Sequence, residues 1–320
     1  MFQKTAIAFA AFIVAATAQA TDFNLGKDTK FEVNVDVGAY HLSKKNSAGA
    51  TEKSFLGSGL NQVEIKGTHA IGDGLKVFGE IEIDYDPIGD NGDILTDDNK
   101  FGIDSKAFGK ITIGQYDSYF EDNVAEALLT AHGSNGEVSE AATGDDGRHL
   151  QYLKSVGDLT FAYDLTFGTS SSDATKSGTG SALTLVYKMG DLKLALGTDK
   201  IVKYSNLGTA ATADSTTGIT ATYNLTKEIA LTALSIKAKK LDNTNTKYSG
   251  FKVAYDMGAV DLTLASQRVK TSTSSTSTTE TAYGIGYEVY KDMTIYLDMT
   301  KMGATNGKGD VTEIGVKYSF

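Results

Sequence analysis

The chain has 320 residues, with 30 Lys and Arg against 40 Asp and Glu, one Pro, and neither Cys nor Trp. The acidic balance argues against a nucleic-acid binder, and the absence of Cys excludes disulfides and thiolate-held metals. No apolar run approaches the ~20 residues of a membrane-spanning helix.

The first twenty residues have the three parts of a secretory signal peptide. Met1-Phe2-Gln3-Lys4 is a charged start, Ala6–Ala16 is a short apolar stretch, and Ala18-Gln19-Ala20 is an A-x-A end. Residues 1–20 are expected to be a signal peptide and 21–320 a single domain. Removal of Lys4 leaves 29 basic against 40 acidic side chains, a formal charge of −11.

From Asp28 onward apolar and polar residues alternate in segments of about ten. Phe31, Val33, Val35 and Val37 alternate with Glu32, Asn34 and Asp36. Leu75, Val77, Ile81 and Ile83 alternate with Lys76, Glu80 and Glu82, and Ile314, Val316, Tyr318 and Phe320 with Gly315, Lys317 and Ser319. A period of two puts every apolar side chain of a strand on one face. Sixteen strands are predicted over 30–42, 60–70, 75–86, 99–108, 110–117, 147–155, 158–167, 181–189, 191–203, 216–225, 228–240, 247–256, 259–271, 280–290, 292–302 and 310–320.

The connections alternate in length. Gly72-Asp73-Gly74, Gly109, Gly157-Asp158, Gly190-Asp191, Thr226-Lys227, Met257-Gly258 and Lys291-Asp292 are tight turns. Segments 43–59, 87–98, 118–146, 168–180, 204–215, 241–246, 272–279 and 303–309 are long and polar, several rich in Ser, Thr and Gly. A soluble sandwich has no reason to sort its loops this way. The pattern implies an all-β protein, a transmembrane antiparallel β-barrel of 16 strands with short periplasmic turns and long extracellular loops. One helix-like stretch falls inside a long loop, near Val124–Ala131.

Three features resemble the general diffusion porins of the Gram-negative outer membrane. They are the C-terminal strand Val316-Lys317-Tyr318-Ser319-Phe320, the segment Phe108-Gly109-Lys110-Ile111-Thr112-Ile113-Gly114-Gln115-Tyr116-Asp117, and the long acidic loop that follows it. The resemblance implies that loop 118–146 folds into the barrel and narrows it, that loop 87–98 latches onto a neighbouring subunit, and that the protein is a homotrimer. It also implies that the terminal aromatics Tyr318 and Phe320 are a signal to the barrel-assembly machinery.

Such a channel needs no catalytic residue, cofactor or metal; charged side chains lining a narrow pore set which ions enter. The expected acidic lining is Glu121, Asp122, Glu126, Glu137, Glu140, Asp145 and Asp146, all in the third loop. The facing wall is expected to carry Asn34, Gln62, Lys66, Lys76, Lys100, Lys106, Lys110, His149 and Gln151. Many general porins have Arg after the glycine corresponding to Gly114, where this chain has Gln115. Strict alternation turns Gln115 outward, so its place on the pore wall requires a bulge near Gly114. Glu32, Asp36, Gln62 and Glu64 stand where the family often has basic groups, so a thinned basic ladder and mild cation preference are expected.

Tyr85, Phe161, Phe167, Tyr283 and Phe320 suit interfacial girdles facing outer-membrane lipid and lipopolysaccharide. His41, His69, His132 and His149 match no metal spacing, and no phosphate-loop pattern occurs. The expected cargo is small hydrophilic solutes and ions. The alternatives are a substrate-specific channel, for sugars for instance, for which the inward aromatics Phe78, Tyr40 and Tyr296 are too few, and a closed structural or adhesive barrel.

Overall fold

The computed structural model describes residues 23–26, 28–45, 51–58, 61–85, 94–128, 148–167, 178–203, 212–239, 244–302 and 310–320. The expected signal peptide, 1–20, lies outside them. In chain order the strands are β1 (Phe23–Gly26), β2 (Thr29–Lys45), β3 (Thr51–Ser58), β4 (Gln62–Gly72), β5 (Leu75–Tyr85), β6 (Ile94–Ser105) and β7 (Gly109–Gln115). A π-helical turn, Glu121–Ala125, precedes β8 (Arg148–Val156), β9 (Leu159–Phe167), β10 (Gly178–Met189), β11 (Leu192–Lys203) and β12 (Thr212–Asn224). The chain ends with β13 (Ile229–Lys239), β14 (Asn245–Asp256), β15 (Val260–Thr271), β16 (Thr278–Tyr290), β17 (Met293–Lys301) and β18 (Val311–Ser319).

These segments form one closed antiparallel sheet of sixteen staves, because two staves are each made of two pieces. The lower half of β2 pairs with β4 and its upper half with β3. At the break, the Asn61 amide takes over the ladder: its Oδ1 accepts from Gly38 N–H at 2.9 Å and its Nδ2 donates to Gly38 O at 3.2 Å. The closing stave is shared by the two chain ends. β18 pairs with β2 from Lys44 to Asp36, Phe320 and Val35 exchange two backbone hydrogen bonds of 2.8 and 3.0 Å, and β1 continues the column against Phe31 to Thr29. Closure gives the sheet no first or last stave: β18 pairs with both β17 and β2.

The tight turns follow from residues that tolerate positive φ. Gly157 and Gly190 both sit at φ 57°, and Asp73 and Asp292 adopt φ 50° and 65°. The turn between β12 and β13 uses no such residue; the Thr226 hydroxyl accepts from the N–H groups of Glu228 and Ile229 at 3.1 and 3.0 Å.

Alternation then turns the protein inside out. Phe101, Ile113, Leu196, Phe251 and Ile314 are exposed on the outer face, whereas Thr112, Asp164, Thr216, Glu280, Asp298 and Glu313 are buried on the inner one. Outer-face apolar groups need hydrocarbon around them, which is the arrangement of a membrane barrel. Phe161, Phe167, Tyr283 and, by strand parity, Tyr85 and Phe320 point outward.

Several strands run a few residues into the expected loops, and the largest differences are at β3, β6 and the helical turn. Segment 43–59 contains β3, and β6 begins at Ile94 inside the expected loop 87–98. Both stretches are rich in polar residues that read as loop, yet strands that extend beyond the bilayer need no apolar face. The helical turn is Glu121–Ala125, earlier than the expected 124–131. Strand β1 is too short to carry a period.

Candidate functional site

After β7 the chain turns into the barrel instead of away from it. Ser118 starts the turn: its hydroxyl accepts from Glu121 N–H at 3.2 Å and its carbonyl from Asp122 N–H at 3.2 Å. The i→i+5 bond from Glu126 N–H to Glu121 O, 3.1 Å, makes the turn π-helical. Phe120, Val124 and Leu128, each no more than 1% exposed, recur every fourth residue and so share one face.

That face docks on bare backbone. A Cβ added to Gly197 on β11 would lie 2.8 Å from Phe120, one on Gly218 of β12 2.8 Å from Val124, and one on Gly250 of β14 2.6 Å from Leu128. Glycine within a strand weakens it locally, but here it lets a second layer approach the wall. Ala182, Ala195, Leu234, Ile236, Ala265 and Ala282 complete the apolar patch. Thr220 Oγ1 donates to Val124 O at 3.2 Å, and the Tyr119 backbone N–H bonds the Asp164 carboxylate, which also accepts from Gln151 Nε2 at 2.8 Å.

The other face of the loop looks across the lumen. Asp122 is open to the channel, yet the enclosing wall displaces enough water to push its pKa up to about 6. Lys100 opposes this rise and the carboxylates Asp98 and Asp164 add to it. Burial also raises the phenol pKa of Tyr116, at the loop entrance, and Asp164 reinforces the effect.

The opposing wall is a mixed-charge lattice on β2 and β4 to β7. Lys66 meets Glu64 at 2.5 Å, and Asn34 Nδ2 donates to the same Glu64 at 2.7 Å. Lys100 lies 3.0 Å from Glu80 and 2.6 Å from Asp98, and Lys76 3.0 Å from Asp104. Lys110 sits over the Phe78 ring at 4.3 Å. Asp36 opposite Gln62 meets Lys317 at 3.2 Å.

The predicted residues therefore separate into groups. Asn34, Gln62, Lys66, Lys76, Lys100 and Lys110 share the inner parity. His149 and Gln151 also point inward but are 1% and 7% exposed; Tyr116 covers His149 at 5.3 Å between rings, and Gln151 is held by Asp164. Lys106 is placed differently from the expectation: it falls in the turn 106–108, beside Gly74 at the periplasmic rim. Gln115 too leaves the pore wall, because β6, β7 and β8 pair without a register shift and it keeps the outward parity of Ile111 and Ile113. In the loop, Asp122 and Glu126 reach the surface, while Glu121 is 1% exposed. Glu137, Glu140, Asp145 and Asp146 lie outside the described residues.

The inner wall also carries Asp98, Asp164, Lys193, Glu280, Asp298 and Glu313, which are not among the expected lining residues. Alternation carries the signal for all of them but Asp98, which falls in the expected loop 87–98; Asp298 shares the parity of Tyr296 and Glu313 that of Gly315. The docking glycines were legible only as strand-interior glycines without a stated partner. Among the described residues no group of three or more His, Asp or Glu is arranged to hold a metal.

A family model for Gram-negative porins matches residues 5–320. Among solved structures, an anion-selective porin from Comamonas acidovorans aligns with TM-score 0.76 at 15% identity, over 92% of this chain and 100% of that one. OmpF of Salmonella typhi, in complex with daunomycin, aligns with TM-score 0.76 at 16% identity, over 94% and 100%. The trimer form of Vibrio cholerae OmpT aligns with TM-score 0.67 at 13% identity, over 92% and 100%. The comparison with curated proteins gave no match. With a closed sheet that turns its polar face inward and a family match running almost from end to end, this chain belongs to the Gram-negative porins and resides in the outer membrane as a multi-pass β-barrel.

Proposed function

We propose that the barrel is a water-filled diffusion channel for small hydrophilic solutes and ions, narrowed by the loop that starts at residue 116. The observation that carries this is the seating of Phe120, Val124 and Leu128 on Gly197, Gly218 and Gly250, which fixes the loop to one wall and leaves Asp122 facing the lumen. A sixteen-stave barrel is too wide for its own side chains to fill. No step of this function needs a catalytic group.

A mild cation preference follows from this chain's own charges. The wall lysines Lys66, Lys76 and Lys100 are each matched by carboxylates, while Asp122 and Glu126 add acid from the loop. Glu137, Glu140, Asp145 and Asp146 add to the same sign if they join the lining. The Comamonas porin is described as anion-selective, so the sign in this chain rests on its own residues and not on likeness.

A homotrimer, with loop 87–98 latching a neighbour, is the assembly that fits this reading, and the trimer form of the Vibrio protein supports it. Tyr318 and Phe320, with rings 5.2 Å apart on the outer face of the closing stave, would be presented to the barrel-assembly machinery. The outer wall would contact membrane lipid and lipopolysaccharide. A sugar-specific path needs an exposed aromatic run, whereas Tyr296 is 3% exposed and packs on Gly315, and Tyr40 packs on Gly57. This favours the general channel.

Liposome swelling tests the proposal. Proteoliposomes should admit small sugars at rates that fall steeply with solute size. Equal rates in empty and loaded liposomes would overturn it.

A further inference from the structure

On the periplasmic side of the docked loop, the inner wall carries a row of donors across five neighbouring strands. Lys188 on β10 stands directly opposite Lys193 on β11, and Lys193 opposite Thr222 on β12. Thr222 stands opposite Thr232 on β13, and Thr232 opposite Lys252 on β14. Parity fixes their direction: Val186, Ala195 and Leu234, two residues away on the same face, are 1%, 1% and 6% exposed under the loop. Lys188 and Lys193 lie one residue in from the strand ends at the Gly190-Asp191 turn, so the row starts at the periplasmic mouth. One inward step above it are Ala195, Thr220, Leu234 and Gly250, part of the surface on which Val124 and Leu128 rest. The row is thus the strip of wall directly beneath the foot of the loop.

No Asp or Glu interrupts the row. At its mouth end, Asp158 accepts from Lys188 N–H through its backbone carbonyl at 2.9 Å. The charges that act on Lys193 are its neighbour Lys188 and, from the loop above, Asp122. Like charges directly opposite on a sheet destabilise it, a cost that an anion between Lys188 and Lys193 would offset. The Thr222 and Thr232 hydroxyls are 3.1 Å apart, and each keeps capacity for a further hydrogen bond. At ~4.8 Å per strand, Lys193 and Lys252 stand about 14 Å apart at the wall, and the inward side chains of a closed barrel converge from there. Two cationic ends with hydroxyls between them match a small polar solute that carries its charge at its ends.

We propose that this row binds phosphorylated sugars on their way through the channel. Lys188 and Lys193 hold a phosphate, the Thr222 and Thr232 hydroxyls meet hydroxyl groups of the sugar, and Lys252 takes a second anionic group at the far end. Ammonium groups donate charge-assisted hydrogen bonds to phosphate oxygens, and a threonine hydroxyl both donates to and accepts from a sugar. Asp122 opposes anions at the constriction, and the row collects those that pass. The assignment rests on the channel reading above and adds a solute class to it.

The test uses the full chain in a planar bilayer, with fructose bisphosphate, fructose monophosphate and fructose as probes. The readout is the concentration that halves the mean potassium chloride current. In the wild type the bisphosphate should act at least ~10-fold below fructose, with the monophosphate between them. The combined substitution Lys188→Gln, Lys193→Gln and Lys252→Gln should bring the three probes together, and the three Lys→Arg substitutions should preserve their order. An unchanged urea midpoint in micelles would show each variant folded. Equal blockade of wild type and the triple Gln variant by the bisphosphate would overturn the proposal. So would blockade of the wild type by inorganic phosphate at the same concentration as the bisphosphate, which would make the site one for any small anion. Calorimetric titration of the bisphosphate into protein in micelles separates this site from the channel reading. Binding heat that the triple Gln variant loses, from a protein that does not conduct, would overturn the channel reading and leave the site standing. A conducting protein that gives no binding heat would overturn the site alone.

Discussion

Val124 lies against the bare backbone of Gly218: a Cβ on that glycine would come within 2.8 Å of both Val124 Cγ1 and Ile236 Cγ1. The contact joins a loop to a strand almost a hundred residues later in the chain, and it sets how far the loop reaches into the lumen. Substituting Gly218→Val should push the loop off the wall, at about 1–3 kcal/mol in stability from overpacking, and change the single-channel conductance. Val124→Ala should instead loosen the loop and increase current noise. Conductance indistinguishable from wild type in both variants would mean that the loop does not set the bore.

Asp122 should make selectivity depend on pH. Its folded-state pKa, about 6, lies above that of an unfolded carboxylate. Protonation therefore favours the folded state, a contribution fully present below about pH 4 and lost as pH rises through 6. In the channel the same titration removes a negative charge as pH falls. Cation preference should weaken between pH 7 and 5, and Asp122→Asn should flatten that part of the profile in reversal-potential measurements.

Lys100 holds the two carboxylates Glu80 and Asp98 at 3.0 and 2.6 Å. Lys100→Gln would leave both uncompensated. One charge about 10 Å from an ion in water changes its energy by about 0.4 kcal/mol, roughly twofold in local concentration before screening. The reversal potential should move toward the cation limit, and less so at high salt.

Closure of the barrel depends on the last residue. Deleting Phe320 removes both backbone bonds to Val35, a loss of about 1–3 kcal/mol. The urea midpoint of the folded protein in micelles should fall accordingly, and the yield of assembled barrel in the outer membrane should fall with it.

The strand pattern was almost fully legible because each stave sees hydrocarbon on one side and water on the other, and that contrast is written residue by residue. Phe31 to Val37 and Ile314 to Phe320 needed no tertiary information. The pattern faded where a strand leaves the membrane, as at Thr51–Ser58 and residues 94–98, because no hydrocarbon then selects its outer face. The site was less legible. Lys66, Lys76, Lys100 and Lys110 have the inner parity that alternation gives them, but the chain alone does not reveal that Tyr116 covers His149 or that Glu121 is buried. Both depend on a loop packing against strands distant in sequence. The glycines that receive it, Gly197, Gly218 and Gly250, become meaningful only with their partners in view.

Single-insertion recording in a planar bilayer under a salt gradient tests most directly whether this barrel is an acid-lined channel. The expected result is stepwise conductance with three equal closures, a cation-selective reversal potential, and loss of part of that selectivity in Asp122→Asn. Folded protein that inserts without conducting, or that conducts with anion preference unaffected by Asp122→Asn, would contradict it.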